Sequence, residues 1–243
     1  MILATQHFRI FSGLFFMSSL LAIEASTEAC SVALLHQGRE IEDFRMLPRA
    51  HTQFLLPMVA EILANAGLSL AQIDAIGFAA GPGSFTGLRV CAGVVQGLAF
   101  SHDIPVVAVS TLQAMAQDHL SKHDLNEGDI ILPSLDARMD ELYWGEYQLE
   151  AGFAEAMSPD SLRTPESIAI LSGSGRAVGI GSGWAYQSRF NLDREIDSID
   201  LDVYPRASAV LQLAQRAFLA GQYTSAELAQ PVYLRDSVAW QKS

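Results

Sequence analysis

The sequence predicts an α/β protein made of two related halves, and three observations lead there. Between residues 73 and 109 a buried strand runs into a Gly-rich loop, a helix and a second strand, the pattern of a parallel strand pair joined through a helix. Between residues 20 and 46 three short strands are joined by tight turns, which makes a meander. The acidic–Ala pair Glu24-Ala25 at the first strand end is matched by Asp136-Ala137, 112 residues later, and both pairs sit where a buried strand turns back into a hairpin. That recurrence reads as a degenerate duplication of a β-hairpin-plus-α/β unit. With 243 residues, half of them hydrophobic, the chain can bury a sizeable core without disulfides.

Residues 20–23 form the first strand. Residues 29–35 alternate and form the second, His36-Gln37-Gly38-Arg39 is a turn sequence, and residues 40–46 form the third. Helical spacing runs from 51 to 66, with Gly67 as the stop. Stepped at about 100° per residue, its apolar positions cover nearly half the circumference. A surface helix needs a stripe only a little over about 100° wide. Pro57 places the helix start near itself, because Pro suits a first turn and breaks an interior one. Residues 73–79 are a buried strand, a helix ends at about Phe100, residues 106–109 are the next strand, and 111–120 are a helix.

The polar run 121–128 (SKHDLNEG) sets the boundary, giving an N-terminal lobe at 18–121 and a C-terminal lobe at 122–243. A second meander starts at 130, with a strand to 135, a turn at 136–139 and an alternating strand at 142–147. Residues 177–180 form a strand before the turn Gly181-Ser182-Gly183-Trp184. Pro205 then precedes a helix that Gly221 stops. In residues 1–17, Arg9 leads into an apolar stretch broken by Ser12 and Gly13. It is too short to span a bilayer, which takes about 20 apolar residues. It reads as a loose extension or an over-called start, with a short export signal as the alternative.

Fifteen basic against 27 acidic residues give a net charge of −12, and Lys122 and Lys242 are the only lysines. Without a basic run, direct phosphate-driven nucleic-acid binding is excluded. Cys30 and Cys91 lie in apolar segments and read as buried free thiols of a reducing compartment.

In the loop Gly81-Pro82-Gly83-Ser84-Phe85-Thr86-Gly87, three glycines remove Cβ atoms, and Ser84 and Thr86 can cap a helix. Such a loop either holds an anion on backbone N–H groups or is simply a tight capped turn. No Gly-Lys-Ser/Thr follows, so it is not a Walker loop. In the helix beyond it, only Arg89 and Gln96 are polar between 88 and 100, and Gly93 and Gly97 leave a bare patch. A helix apolar nearly all round is buried nearly all round, by its own core or by another chain. Glu24 and Asp136 can serve a metal or act as a base, or can cap turn amides. His119 and His123 have the i, i+4 spacing of a metal pair without a Glu between them, which reads as chance. Ser84 is not in a Gly-x-Ser-x-Gly elbow. No catalytic residue and no metal ligand is expected.

Residues 23–34 (IEASTEACSVAL), His51-Thr52-Gln53 with Leu55-Leu56-Pro57, residues 81–89 (GPGSFTGLR) and Ser110-Thr111-Leu112 resemble the TsaB (YeaZ) family of the tRNA threonylcarbamoyladenosine machinery. So do Asp136-Ala137-Arg138-Met139, Glu141 with Tyr143, and Pro231-Val232-Tyr233-Leu234-Arg235. The resemblance runs from residue 18 to the end. It implies a two-lobed actin/Hsp70/sugar-kinase-like (ASKHA) fold. It also implies a non-catalytic scaffold for the related catalytic subunit TsaD. The metal-binding His-x-x-x-His of TsaD falls here on Thr111 and Met115, neither of which replaces an imidazole.

The family pairs with itself or with TsaD through two first-lobe helices, here 51–66 and 86–100. The implied partner interface is Leu55, Leu56, Val59, Ile62, Leu63, Leu88, Val90, Gly93, Val94 and Gly97. A vestigial nucleotide cleft is implied at Glu24, Ser26, Gly81, Gly83, Ser84, Thr86 and Asp136. The family usually has Asp where Glu24 stands, and the longer side chain weakens inherited nucleotide chemistry. The implied function is cytoplasmic, away from membranes. This chain would activate TsaD, with the ATPase TsaE joining and TsaC supplying the donor, to modify the adenosine next to the anticodon. It would bind no cofactor alone, while the complex uses ATP, and would meet tRNA only through the complex. Two other readings compete: an ATP-dependent phosphotransferase using Glu24, Asp136 and residues 81–87, and an M22-type metallopeptidase, disfavoured by the missing ligands.

Overall fold

The computed structural model describes residues 18–169, 175–192 and 194–235. The extension at 1–17 lies outside them. Two compact units emerge: one holds the chain up to 80, 85–109 and 206–230, and the other 81–84, 110–205 and the tail from 231.

The first unit is built on a five-stranded sheet in the order β3-β2-β1-β4-β5, with β1 Leu20–Glu24, β2 Ala29–His36, β3 Arg39–Met46, β4 Ala75–Gly81 and β5 Val106–Ser110. The first three strands are the expected antiparallel meander. Gln37 (φ 51°) and Gly38 (φ 74°) both take the left-handed conformation that a two-residue hairpin turn demands. β4 lies parallel to β1, with Leu20 opposite Ala75 and Ile23 opposite Phe78. Helix α1 (His51–Ala66) ends at Gly67 (φ 68°), whose N–H reaches the Ala64 carbonyl. It starts at His51, not at Pro57. Pro57 is exposed, so its ring and missing donor face solvent, where an interior Pro is least disruptive. Helix α2 is Phe85–Ser101 and α3 is Thr111–Lys122.

The sequence boundary at 121/122 is not where the structure divides. Helix α3 belongs to the second unit, while α4 (Ala207–Leu219) returns to the first. Gly77 on β4 makes the return possible, because a Cβ there would lie 2.5 Å from the Cβ of Ala214. Ser31 Oγ accepts from Ala207 N–H at 2.8 Å and Glu42 Oε1 from Ser208 N–H at 3.0 Å. Two meander side chains, 176 and 166 residues away in sequence, thus satisfy the open N-terminus of the helix.

The second unit repeats the motif. In it β6 (Ile130–Arg138) pairs antiparallel with β7 (Glu141–Trp144) and parallel with β11 (Ala177–Ile180), as β1 does with β2 and β4. Strands β8 (Tyr147–Glu150), β9 (Phe153–Ala156), β10 (Ser161–Arg163) and β12 (Ser198–Asp200) complete a seven-stranded sheet. The strand expected over 142–147 is two strands, parted at Gly145, where a Cβ would meet the Tyr147 ring at 2.7 Å. Trp144 and Trp184 anchor the core, and the Trp184 indole N–H donates to the Leu132 carbonyl at 2.7 Å.

Candidate functional site

Helices α1 and α2 pack together on the first unit, and each has two apolar faces. The inner face of α1 carries Leu55, Met58, Val59, Ile62 and Leu63, all buried; that of α2 carries Leu88, Cys91, Ala92, Val95 and Ala99. Of the ten residues in the interface implied by the family resemblance, Leu55, Val59, Ile62, Leu63 and Leu88 are buried in this unit's own core.

The outer faces hold the other five and more. On α1, Gln53, Leu56, Pro57, Ala60 and Ala64 are all exposed. On α2, Gly93, Gly97 and Phe100 are exposed while Val90 and Val94 are half-buried. Pro57, Ala60, Ala64 and Phe100 were missed in the sequence. Their signal was available in the i, i+3, i+4 rows 53-56-57-60-64 and 93-97-100. A Cβ on Gly93 or Gly97 would meet nothing within 4 Å. Each glycine in a helix interior costs roughly 0.5–1 kcal/mol relative to Ala. Among the described residues no close approach offsets that cost at either position. The charges on these helices are engaged locally: Glu61 pairs with Arg45 at 2.7 Å, and the Arg89 guanidinium lies over the Phe85 ring at 3.8 Å.

Glu24 ends β1 with no exposed surface, and its Oε1 accepts the Ser26 N–H at 2.7 Å. Oε2 has no hydrogen-bond partner among the described residues. Burial pushes the carboxyl up to about 8, with the contact to Ser26 opposing the rise and Glu42 adding to it. Near neutrality the group is largely the neutral acid, a poor ligand for a hard cation. The neighbouring thiols are buried and free; burial first, and Glu24 second, push Cys30 up to about 12, and the same two causes raise Cys91.

Asp136 lies two residues before the end of β6 in the second unit, where the pairing with β7 shifts register. Its Oδ1 accepts the Arg138 N–H at 2.8 Å and its Oδ2 meets the Arg138 guanidinium at 3.2 Å, with the side chain 24% exposed. Both acids thus accept the amide two residues on. Gly81 is buried at φ 126°, Gly83 is half-buried, and Ser84 and Thr86 are exposed where α2 begins. Of the seven cleft residues, Glu24, Ser26 and Thr86 fall in the first unit and Gly81, Gly83, Ser84 and Asp136 in the second; Glu24 and Ser26 are the bonded pair. Thr111 and Met115 are fully buried in α3, a hydroxyl and a thioether where an imidazole pair would be needed.

Residues 45–194 match the family model of TsaD, tRNA N6-adenosine threonylcarbamoyltransferase. The chain is 40% identical over 232 residues to the Haemophilus influenzae tRNA threonylcarbamoyladenosine biosynthesis protein TsaB, covering 92% of this chain and 96% of the relative. To the Escherichia coli K12 protein of the same name it is 41% identical over 229 residues, with coverages of 92% and 97%. The solved structure of YeaZ from Pseudomonas aeruginosa superposes with a TM-score of 0.85 at 44% identity, covering 90% of this chain and all of that one. At that similarity the fold is shared.

Proposed function

Since the chain belongs to the TsaB (YeaZ) family of tRNA threonylcarbamoyladenosine biosynthesis proteins, we propose that it is a non-catalytic, cytoplasmic subunit that holds TsaD in its active arrangement. The observation that carries this reading is the outer face of α1 and α2, where small and apolar side chains stand exposed beside two glycines with open space above them. Small residues let a second helix pair approach closely, as in a four-helix bundle. The same face can pair two copies of this chain. TsaE then joins as the ATPase and TsaC supplies the threonylcarbamoyl donor for the adenosine beside the anticodon. The complex uses ATP, and this chain alone needs no cofactor. A net charge of −12 leaves the tRNA backbone to more basic partners. The buried, protonated Glu24 gives the competing phosphotransferase reading no charged acid at its expected metal–phosphate position.

The test is reconstitution with and without Leu56→Glu combined with Gly97→Glu. Both positions are exposed, so the variant keeps the circular dichroism and melting of the parent. It is expected to lose capture of TsaD by at least tenfold and to abolish modification that depends on this chain. Undiminished modification by the variant, or full modification by TsaD without this chain, overturns the reading.

A further inference from the structure

An open pocket of about 460 Å3 lies in the second unit where the end of α3 meets β11 and β12. Its polar lining is Ser198 together with the titratable His119, His123, Asp124, Arg176, Asp197 and Asp200. It shares no residue with the helix face or with the cleft residues.

The titratable groups in the lining are held as follows. Asp197 Oδ2 accepts the Ala177 N–H at 2.8 Å and Asp200 Oδ1 accepts the Asp202 N–H at 3.0 Å, which fixes both carboxylates and leaves each one oxygen uncommitted. Arg176 is the one cation among the lining residues, and it is engaged. Its Nε and Nη2 donate to Asp129 Oδ2 at 3.1 and 2.9 Å, and Nη2 also donates to the Asp124 carbonyl at 2.7 Å. His123 Nδ1 donates to the His119 carbonyl at 2.9 Å, so in the neutral ring Nε2 keeps its lone pair. The two imidazoles stack at 3.8 Å with 17° between their planes.

His119 is only 6% exposed, yet it opens on the pocket, and neither of its ring nitrogens has a hydrogen-bond partner among the described residues. Burial, with His123 beside it, pushes its imidazolium down to about 4 against the pull of Asp200. The ring is therefore neutral near pH 7 and offers one N–H donor and one acceptor to the pocket. Beside it stand the side chains of Asp124, Asp197 and Asp200, so this space carries an excess of acceptors and of negative charge.

We propose that this pocket binds a small organic cation rich in N–H donors, an ammonium or guanidinium group such as a polyamine or a basic side chain carries. Its charge is met by Asp124, Asp197 and Asp200 and its N–H by His119. Among the described residues no group of three His, Cys, Asp or Glu could hold a metal ion.

The experiment is calorimetric titration of the full chain with spermidine at physiological salt, with the histidine ring signals followed by NMR. Saturable one-to-one binding that moves the His119 and His123 signals is expected. Asp197→Asn with Asp200→Asn keeps the oxygens that hold the backbone amides and is expected to weaken binding at least tenfold. Glu28→Gln with Asp103→Asn removes the same charge from exposed positions in the first unit and is expected to change affinity less than twofold. A blocked Arg peptide forms the second arm. Tighter spermidine binding assigns a free polyamine, and tighter peptide binding assigns a partner's side chain. The proposal falls if neither probe saturates, if the control pair weakens binding as much as the aspartate pair, or if the histidines take up Zn2+ while ignoring both amines.

Discussion

On α1, Leu55, Met58, Val59, Ile62 and Leu63 turn inward, with Val59 only 2% exposed, whereas Leu56 is 52% exposed and shares its side with Pro57, Ala60 and Ala64. Helix α2 divides in the same way: Cys91, Val95 and Ala99 are fully buried, while Phe100 is 68% exposed beyond the bare backbone of Gly93 and Gly97. The two faces do not differ in being apolar. They differ in use. The inner face packs its side chains against the sheet, and the outer face leaves Leu56 and Phe100 exposed beside Ala60, Ala64 and two glycines with open space above them. A core cannot tolerate that emptiness, since unfilled volume forfeits contacts on every side. An interface completed by a second helix pair requires it.

The sharpest way to break this distinction is to charge each face in turn. Val59→Glu with Leu63→Glu puts two carboxylates into the first unit's core with no cation to meet them. Uncompensated burial of charge is among the few mechanisms that cost more than about 4–5 kcal/mol. The double variant is expected to lose cooperative unfolding in circular dichroism, whereas the outward pair Leu56→Glu with Gly97→Glu keeps it. Parental melting of the inward variant would mean that the faces have been assigned the wrong way round.

Why the sequence showed both faces but not their direction follows from what each signal contains. Periodicity at 3.6 residues placed α1 with its stop at Gly67, because one residue type governs a left-handed cap. Alternation and Gly38 placed the meander for the same kind of local reason. Direction is set by which side the sheet lies on, and no local pattern carries it when both sides are apolar. The return of α4 to the first unit was hidden for a related reason. It depends on a missing side chain at Gly77 and on the hydroxyl of Ser31, both of which look like ordinary strand residues until a helix from residue 207 arrives. Among the candidate site residues, the acid positions were legible as strand-end turn formers. Their different burial was not, because it depends on what packs over them.

A second, smaller effect sets the inner side apart by its response to pH. The inner face of α2 meets β1 at Cys91, whose thiol lies 3.8 Å from the Ile23 carbonyl, next to Glu24. Burial holds Glu24 at about 8 in the folded chain against 4.5 ordinarily. Its protonated form therefore stabilises the fold fully below pH 4.5, and that contribution drains away as pH rises through 8. The loss amounts to roughly 3–5 kcal/mol. Glu24→Gln keeps the shape of the neutral acid and cannot ionise. Urea unfolding at pH 5 and pH 8.5 is expected to show the parent falling by several kcal/mol relative to this variant. Equal pH dependence in the two chains would place the carboxyl in contact with water.

The smallest effect discriminates most finely between the faces, because it should have opposite signs in two assays. Gly93→Ala and Gly97→Ala each add one methyl where nothing lies within 4 Å. In the isolated chain that methyl only narrows the unfolded ensemble and favours the helix, worth about 0.5–1 kcal/mol per site. The double variant should therefore melt a few degrees higher than the parent. If the proposed TsaD assembly uses this face, the same two methyls fill the gap open to the partner helices, and capture of TsaD should weaken even though the chain itself has become more stable. A destabilised chain would mean that the glycines serve an internal contact. A stabilised chain with undiminished capture would mean that the partner docks elsewhere. Only a higher melting point combined with weaker capture fits a surface whose emptiness is kept for another molecule.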